Sequence, residues 1–205
     1  MNRDKSEGYR LAPDLFLTKK AEEAYTIVKK SIIRAVIERV RAYFLVMGPG
    51  SGAEGFDLRV MIKELIEKEK RQVATFPEDV SVETLRGFLS SIGLDVSYLR
   101  NLIVNVTTKE YVLMLGYDIT LILLMSVGAI SEFSIYFTKL DVAHKIRVYH
   151  PEKFSKEPSF IRLGPLELFN RVYHHLYTFK NEEELKQKVG GLVDDYLTYL
   201  LLAKF

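Results

Sequence analysis

Two runs, RAYFLVM at Arg41–Met47 and ITLILLM at Ile119–Met125, restrict the fold more than any other feature of the chain. Neither alternates as a half-solvated strand would. Each breaks on a turn of small residues, GPGSGAEG after the first and SVGA after the second, and each then passes into a helical stretch. Unalternated strands followed by helices belong to a parallel sheet covered on both faces.

The remaining segments fit that frame. Leu58, Met61, Ile62, Leu65 and Ile66 mark one face of a helix, with Lys63, Glu64, Glu67 and Lys68 outside it. RQVATFPED reads as a second strand stopped by Pro77, and helices are expected over Glu83–Ile92, Val96–Val106, Thr108–Gly116 and from about Ala129 to Leu140. KIRVYHP is a fourth strand, PEKFSKEPSFIRLGP a long loop, and the last helix runs from Asn181 to about Ala203. Ahead of all this, Tyr25, Val28, Ile32, Ala35 and Val36 recur at helical spacing between Thr18 and Val40. The expected organisation is a tail and amphipathic helix over residues 1–40, then one α/β nucleotide-binding domain over 41–205. Its fold class is flavodoxin-like (Rossmann-like), a mainly parallel sheet with helices on both faces and a helical C-terminal tail.

Composition excludes several chemistries. The chain has no cysteine, so disulfides, zinc–thiolate sites and a cysteine nucleophile are ruled out. Lysine and arginine number 29 against 27 aspartates and glutamates, so no overall positive field points to nucleic acid or an anionic membrane. The window Tyr111–Ile130 approaches the length of a bilayer span. Asp118 in its middle and the turns around it favour a buried strand instead. The opening MNRDKSEGYRLAPDLFL has no apolar signal-peptide core, which predicts a cytoplasmic protein.

In an open α/β sheet a ligand binds beyond the carboxyl ends of the strands, and GPGSGAEG lies where such a site begins. It lacks the Lys-Ser/Thr of a phosphate-binding P-loop. Gly50-Ser51-Gly52-Ala53-Glu54-Gly55 matches GxGxxG, with Glu78 or Asp79 after the second strand near the place of a ribose-binding acid; a tight turn without ligand is the alternative. The second turn sets Ser126 and Gly128 at the end of the central strand and Glu132 in the first turn of the next helix. An acid there is favoured by the helix dipole. It is also suited to hold ribose hydroxyls, or to stabilise an oxocarbenium-like centre.

The order of glycine loop, FDLR, FPED, KEYVLMLGYDITLILLMSVGAISEF and KIRVYHP resembles the superfamily that joins nucleoside 2-deoxyribosyltransferase-like proteins with Toll/interleukin-receptor (TIR)-like domains. The resemblance covers about Arg41 to Pro151. It implies a flavodoxin-like domain that binds nucleosides or nicotinamide dinucleotides, with several members cleaving the N-glycosidic bond. It further implies that Asp118, Ser126, Gly128 and Glu132 correspond to the family's acid, small-residue and glutamate pattern. Gly48, Gly50 and Ser51 would approach the nucleotide, and Arg59 with Glu78 and Asp79 would line or brace the cleft. Gly52 joins this ligand set through the GxGxxG match. The first loop is richer in glycine than a simple TIR domain, and the N-terminal helix and C-terminal tail have no counterpart in the minimal fold.

Other groups carry weaker signals. Glu110 reads first as a solvated helix acid and second as a cleft residue, His150 first as a surface loop histidine and second as a group that polarises a leaving base, Arg162 equally as a phosphate clamp or a surface charge, and adjacent His174 and His175 as a poor metal pair. FNRVYHHLYTF reads as packing, and YLTYLLLAKF as core or a dimer contact. The expected function is hydrolysis or transfer at an N-glycosidic bond, with Glu132 catalytic and no metal or cofactor required; NAD or a nucleotide would be substrate or ligand. A nucleotide-sensing module without turnover is the alternative, and a Rossmann-type oxidoreductase ranks below both. The expected partners are a small-molecule nucleoside or nucleotide and further copies of the chain, with no nucleic acid and no membrane.

Overall fold

The computed structural model describes residues 40–91, 106–156 and 162–203. All belong to the compact unit Val40–Phe205, separate from a unit Met1–Arg39. The expected amphipathic helix over Thr18–Val40, except for Val40 itself, and all of the Val96–Val106 helix but its last residue lie outside the described residues.

Among the described residues five strands form one parallel sheet: β1 Tyr43–Met47, β2 Val73–Thr75, β3 Ile119–Leu123, β4 Ile146–Pro151 and β5 Leu176–Phe179, in the order β2-β1-β3-β4-β5. That order makes the fold flavodoxin-like. The centre of the sheet explains the two unalternated runs, since every residue of β3 and four of the five in β1 are buried. β5 was read in the sequence as packing within FNRVYHHLYTF. It is an edge strand, entered after His174 takes a left-handed conformation at φ 55° and ends the preceding helix.

Around the sheet run α1 Phe56–Glu64, α2 Val82–Ser91, α3 Val106–Gly116, α4 Val127–Tyr136, α5 Leu140–Ala143, α6 Glu167–Tyr173 and α7 Glu182–Leu202. α1 continues into a wider turn at Leu65–Glu69. Successive residues of a strand face opposite sides, and here the two sides differ. Leu45, Met47, Ile122 and Val148 share a core with Leu85 of α2, Leu113 of α3, Phe133 of α4 and Phe169 of α6. On the other side Phe44 meets Tyr196 of α7 edge to face at 6.3 Å. α7 buries Leu185, Val189, Val193 and Leu197 at four-residue intervals and is tied to the end of the α1 turn by Lys70–Asp194 at 2.6 Å. Among the described residues no helix is long and apolar enough to cross a membrane. The window Tyr111–Ile130 instead divides into α3, β3 and the start of α4.

Candidate functional site

The strand order reverses direction between β1 and β3, which leaves a crevice between the loops that follow them. A cavity of about 500 Å³ lies there, walled by the loop after β1, the start of α4, the start of α3 and the turn after β2.

The first loop is held down by contact with its neighbour. A Cβ on Gly48, at φ 145°, would lie 3.0 Å from the Cβ and carbonyl oxygen of Leu123; on Gly55, at φ 89°, it would lie 2.7 Å from Met125 Sδ. These two glycines let the β1 loop lie against the end of β3. Gly50 and Gly52 have open space where a Cβ would stand, although Gly52 adopts φ 82°. The GxGxxG spacing therefore mixes one packing glycine with two that packing does not require. Gly48 and Gly50 line the cavity; Ser51 and Gly52 are exposed and do not.

Arg59, on α1, is 3% exposed and locks this loop from beneath. Its Nε and Nη2 donate to Val46 O at 3.2 and 2.9 Å, and its Nη1 to Pro49 O at 3.2 Å. Nη1 and Nη2 also donate to the Glu78 carboxylate at 2.7 and 2.8 Å. All five N–H groups of the guanidinium are thereby engaged, and its plane sits 4.3 Å from the centre of the Phe76 ring. Arg59 is thus a brace. Glu78 reaches the cavity wall from the short turn Pro77–Asp79, whereas Asp79 turns away to Lys63 at 3.0 Å and leaves the predicted ligand set.

Asp118 needs a larger correction. It precedes β3, so it stands at the amino edge of the sheet, the whole length of a strand from the cavity. There it accepts the Tyr43 N–H at 2.8 Å, while its own N–H donates to Tyr43 O at 2.9 Å. Asp118 enters the ligand set through the family resemblance alone, although the expected strand Ile119–Met125 already begins after it.

At the second loop, Ser126 caps α4 by accepting the Ala129 N–H at 3.2 Å, and both Ser126 and Gly128 line the cavity. α4 is oriented by Ala129, Phe133 and Tyr136, which are buried at helical spacing; Phe133 packs edge to face on Phe169 at 5.2 Å. Glu132 stands at the border of that buried face. Because α4 begins at Val127, Glu132 lies in the second turn and not the first. The dipole explanation for an acid at this place consequently falls away. Among the described residues its carboxylate has no hydrogen-bond or ion-pair partner. Burial, followed by the nearby Glu110, raises its pKa to about 7, with Arg59 opposing.

Of the two positions open to Glu110, the structure shows the cleft and not solvent: it is 6% exposed and part of the cavity wall. Its Oε2 lies 2.8 Å from the Tyr136 hydroxyl, which also lies 2.8 Å from Thr107 O. One hydroxyl hydrogen faces two oxygens, so both contacts are satisfied together only when Glu110 carries a proton. Burial pushes its pKa upward, in the same sense. The spacing of Glu110, Leu113 and Met114 on one face of α3 is the signal that places it inside.

Lys109, at the start of α3, is a charged residue of the cavity wall that the sequence does not single out. His150 is buried with its Nδ1 3.1 Å from Pro151 O and is not part of the cavity wall. His175 receives Arg147 Nη1 on its Nδ1 at 2.7 Å, and burial first, then Arg147, push its pKa down to about 4. Among the described residues no group of acids and histidines is arranged to hold a metal ion.

The sequence matches the STM3845 retron effector protein family over residues 56–200, most of the chain. The chain belongs to that family. The matched span runs from α1 into α7 and so includes Arg59, Glu78, Lys109, Glu110 and Glu132, while Gly48 and Gly50 precede it. Comparison with curated proteins returns no match.

Proposed function

We propose that this retron effector family member binds a nucleoside, nucleotide or NAD-type molecule at the carboxyl edge of its sheet and cleaves or transfers at the N-glycosidic bond. The observation that carries the reading is Glu132: a carboxylate without a partner among the described residues, facing a cavity of about 500 Å³ at the strand-order reversal. The likeness of the sequence to nucleoside 2-deoxyribosyltransferase-like and TIR-like proteins points the same way.

In the step we envisage, the C1′–N bond breaks and its electron pair leaves with the base. The ribose carbon gains oxocarbenium character, which the ionised Glu132 stabilises or traps as an ester, and water or another acceptor then takes the sugar. Arg59 and the two packing glycines hold the loop that positions the sugar, so positioning and charge stabilisation supply the barrier reduction.

The test is a thermal-shift panel of nucleosides, nucleoside monophosphates and NAD, followed by chromatography for free base. A ligand at a hundredfold excess over its Kd adds about 2.7 kcal/mol of stability. Stabilisation with base release that Glu132→Gln lowers by roughly 10²–10⁴-fold, binding being kept, supports the proposal. Stabilisation with no release identifies a sensor instead, and no shift with any member of the panel counts against both.

A further inference from the structure

The two cations of the cleft differ in one respect. Arg59 has no N–H left to offer, since Val46 O, Pro49 O and the Glu78 carboxylate take them all. Lys109 lines the same cavity, is half-buried, and among the described residues makes no hydrogen bond or ion pair, although its charge is felt by the neighbouring Glu110 carboxyl. A half-buried ammonium keeps three donors and a full charge for whatever enters. Its surroundings make that charge matter, because Glu78 is already paired with Arg59 and an ionised Glu132 on the same cavity wall disfavours an anion. Elsewhere the wall is bare backbone at Gly50 and Gly128, which leaves room for a bulky oxyanion to approach.

Resting on the function proposed above, we infer that Lys109 is the specificity-determining residue of this cleft, binding the 5′-phosphate or pyrophosphate of a nucleotide whose ribose lies at Glu132. The substrate class narrows accordingly from nucleosides to phosphorylated nucleotides, with mononucleotide and dinucleotide sharing the same anionic group.

Calorimetric binding to the full chain tests this, using Glu132→Gln to suppress turnover. The probes are the common nucleosides, their 5′-monophosphates and NAD, each with Lys109 intact, as Lys109→Gln and as Lys109→Arg. We expect a phosphorylated probe to bind roughly tenfold to hundredfold more tightly than its nucleoside, the size of one charge-assisted hydrogen bond. Lys109→Gln should erase that preference and Lys109→Arg retain most of it. Tighter binding of NAD than of any monophosphate identifies the pyrophosphate as the group held; the reverse identifies a single phosphate. Nucleosides binding as tightly as nucleotides, or Lys109→Gln weakening both alike, overturns the assignment of Lys109 and leaves the N-glycosidic reading standing. A panel in which nothing binds overturns both.

Discussion

The two edges of the sheet carry similar charges and use them differently. At the amino edge Asp118 is spent on Tyr43 N–H, Lys145 Nζ donates to the carbonyls of Leu115 and Tyr117 at 2.8 and 2.9 Å, and Arg147 donates to His144 O and to His175. Each closes a helix end or a strand end, where backbone groups would otherwise be left over. At the carboxyl edge Arg59 and Glu78 are spent in the same manner, yet Glu132 and Lys109 beside them have no partner among the described residues. Saturated charge belongs to the scaffold. Charge left unpaired and half-buried costs stability, and that cost is the physical reason for assigning the ligand to this edge.

The sharpest way to break the contrast is at its structural member. Arg59→Ala removes five donors and leaves Val46 O and Pro49 O buried without them, so it should cost about 3–5 kcal/mol in urea denaturation and abolish ligand-induced stabilisation as well. At the opposite edge Lys145→Met should cost about 1–3 kcal/mol while leaving ligand binding unchanged, because its acceptors lie at the end of α3 remote from the cavity.

The smallest effect has the opposite sign. Burial raises the pKa of Glu132 to about 7 in the folded chain, against about 4.5 for a free side chain. Between those values the folded state holds a proton that the unfolded state has lost, so this group's contribution to stability falls as pH rises from about 4.5 to about 7. Glu132→Gln should therefore stabilise the protein by about 1–2 kcal/mol at pH 8, once solvent screening of a half-buried group is discounted, and hardly at all near pH 4. A functional carboxylate whose removal stabilises the fold is what a strained site predicts; a destabilised Glu132→Gln at pH 8 would put this residue with the scaffold.

Much of the fold was legible because its signals are local. Unalternated YFLVM and ITLILLM, each closed by small residues, specify buried parallel strands, and β1, β3 and the helices after them follow directly. β5 escaped because LYTF is short and three of its four residues are only partly buried, as edge strands are, so it lacks the apolar run of the centre. The cleft was legible to the extent that chain order fixes which loops adjoin. Gly48, Gly50, Ser126, Gly128 and Glu132 meet there because β1 and β3 are neighbours. Side-chain direction was not legible: Glu78 and Asp79 are adjacent yet diverge, one to Arg59 and the other to Lys63. Asp118 is misplaced for another reason: the strand start at Ile119 is legible and puts it at the amino edge, but the resemblance assigned it to the ligand. The pairing of Glu110 with Tyr136 joins residues 26 apart on two helices, a relation that no spacing within either helix contains.

The chemistry assigned to Glu132, unpartnered among the described residues, is read most plainly from the rate of base release from the tightest-binding nucleotide between pH 5 and 9, for the native chain and for Glu132→Gln. The native rate should climb as Glu132 ionises around pH 7 and then level, and the variant should be slow and flat across the range. A variant that matches the native protein in rate and in pH dependence would contradict that assignment.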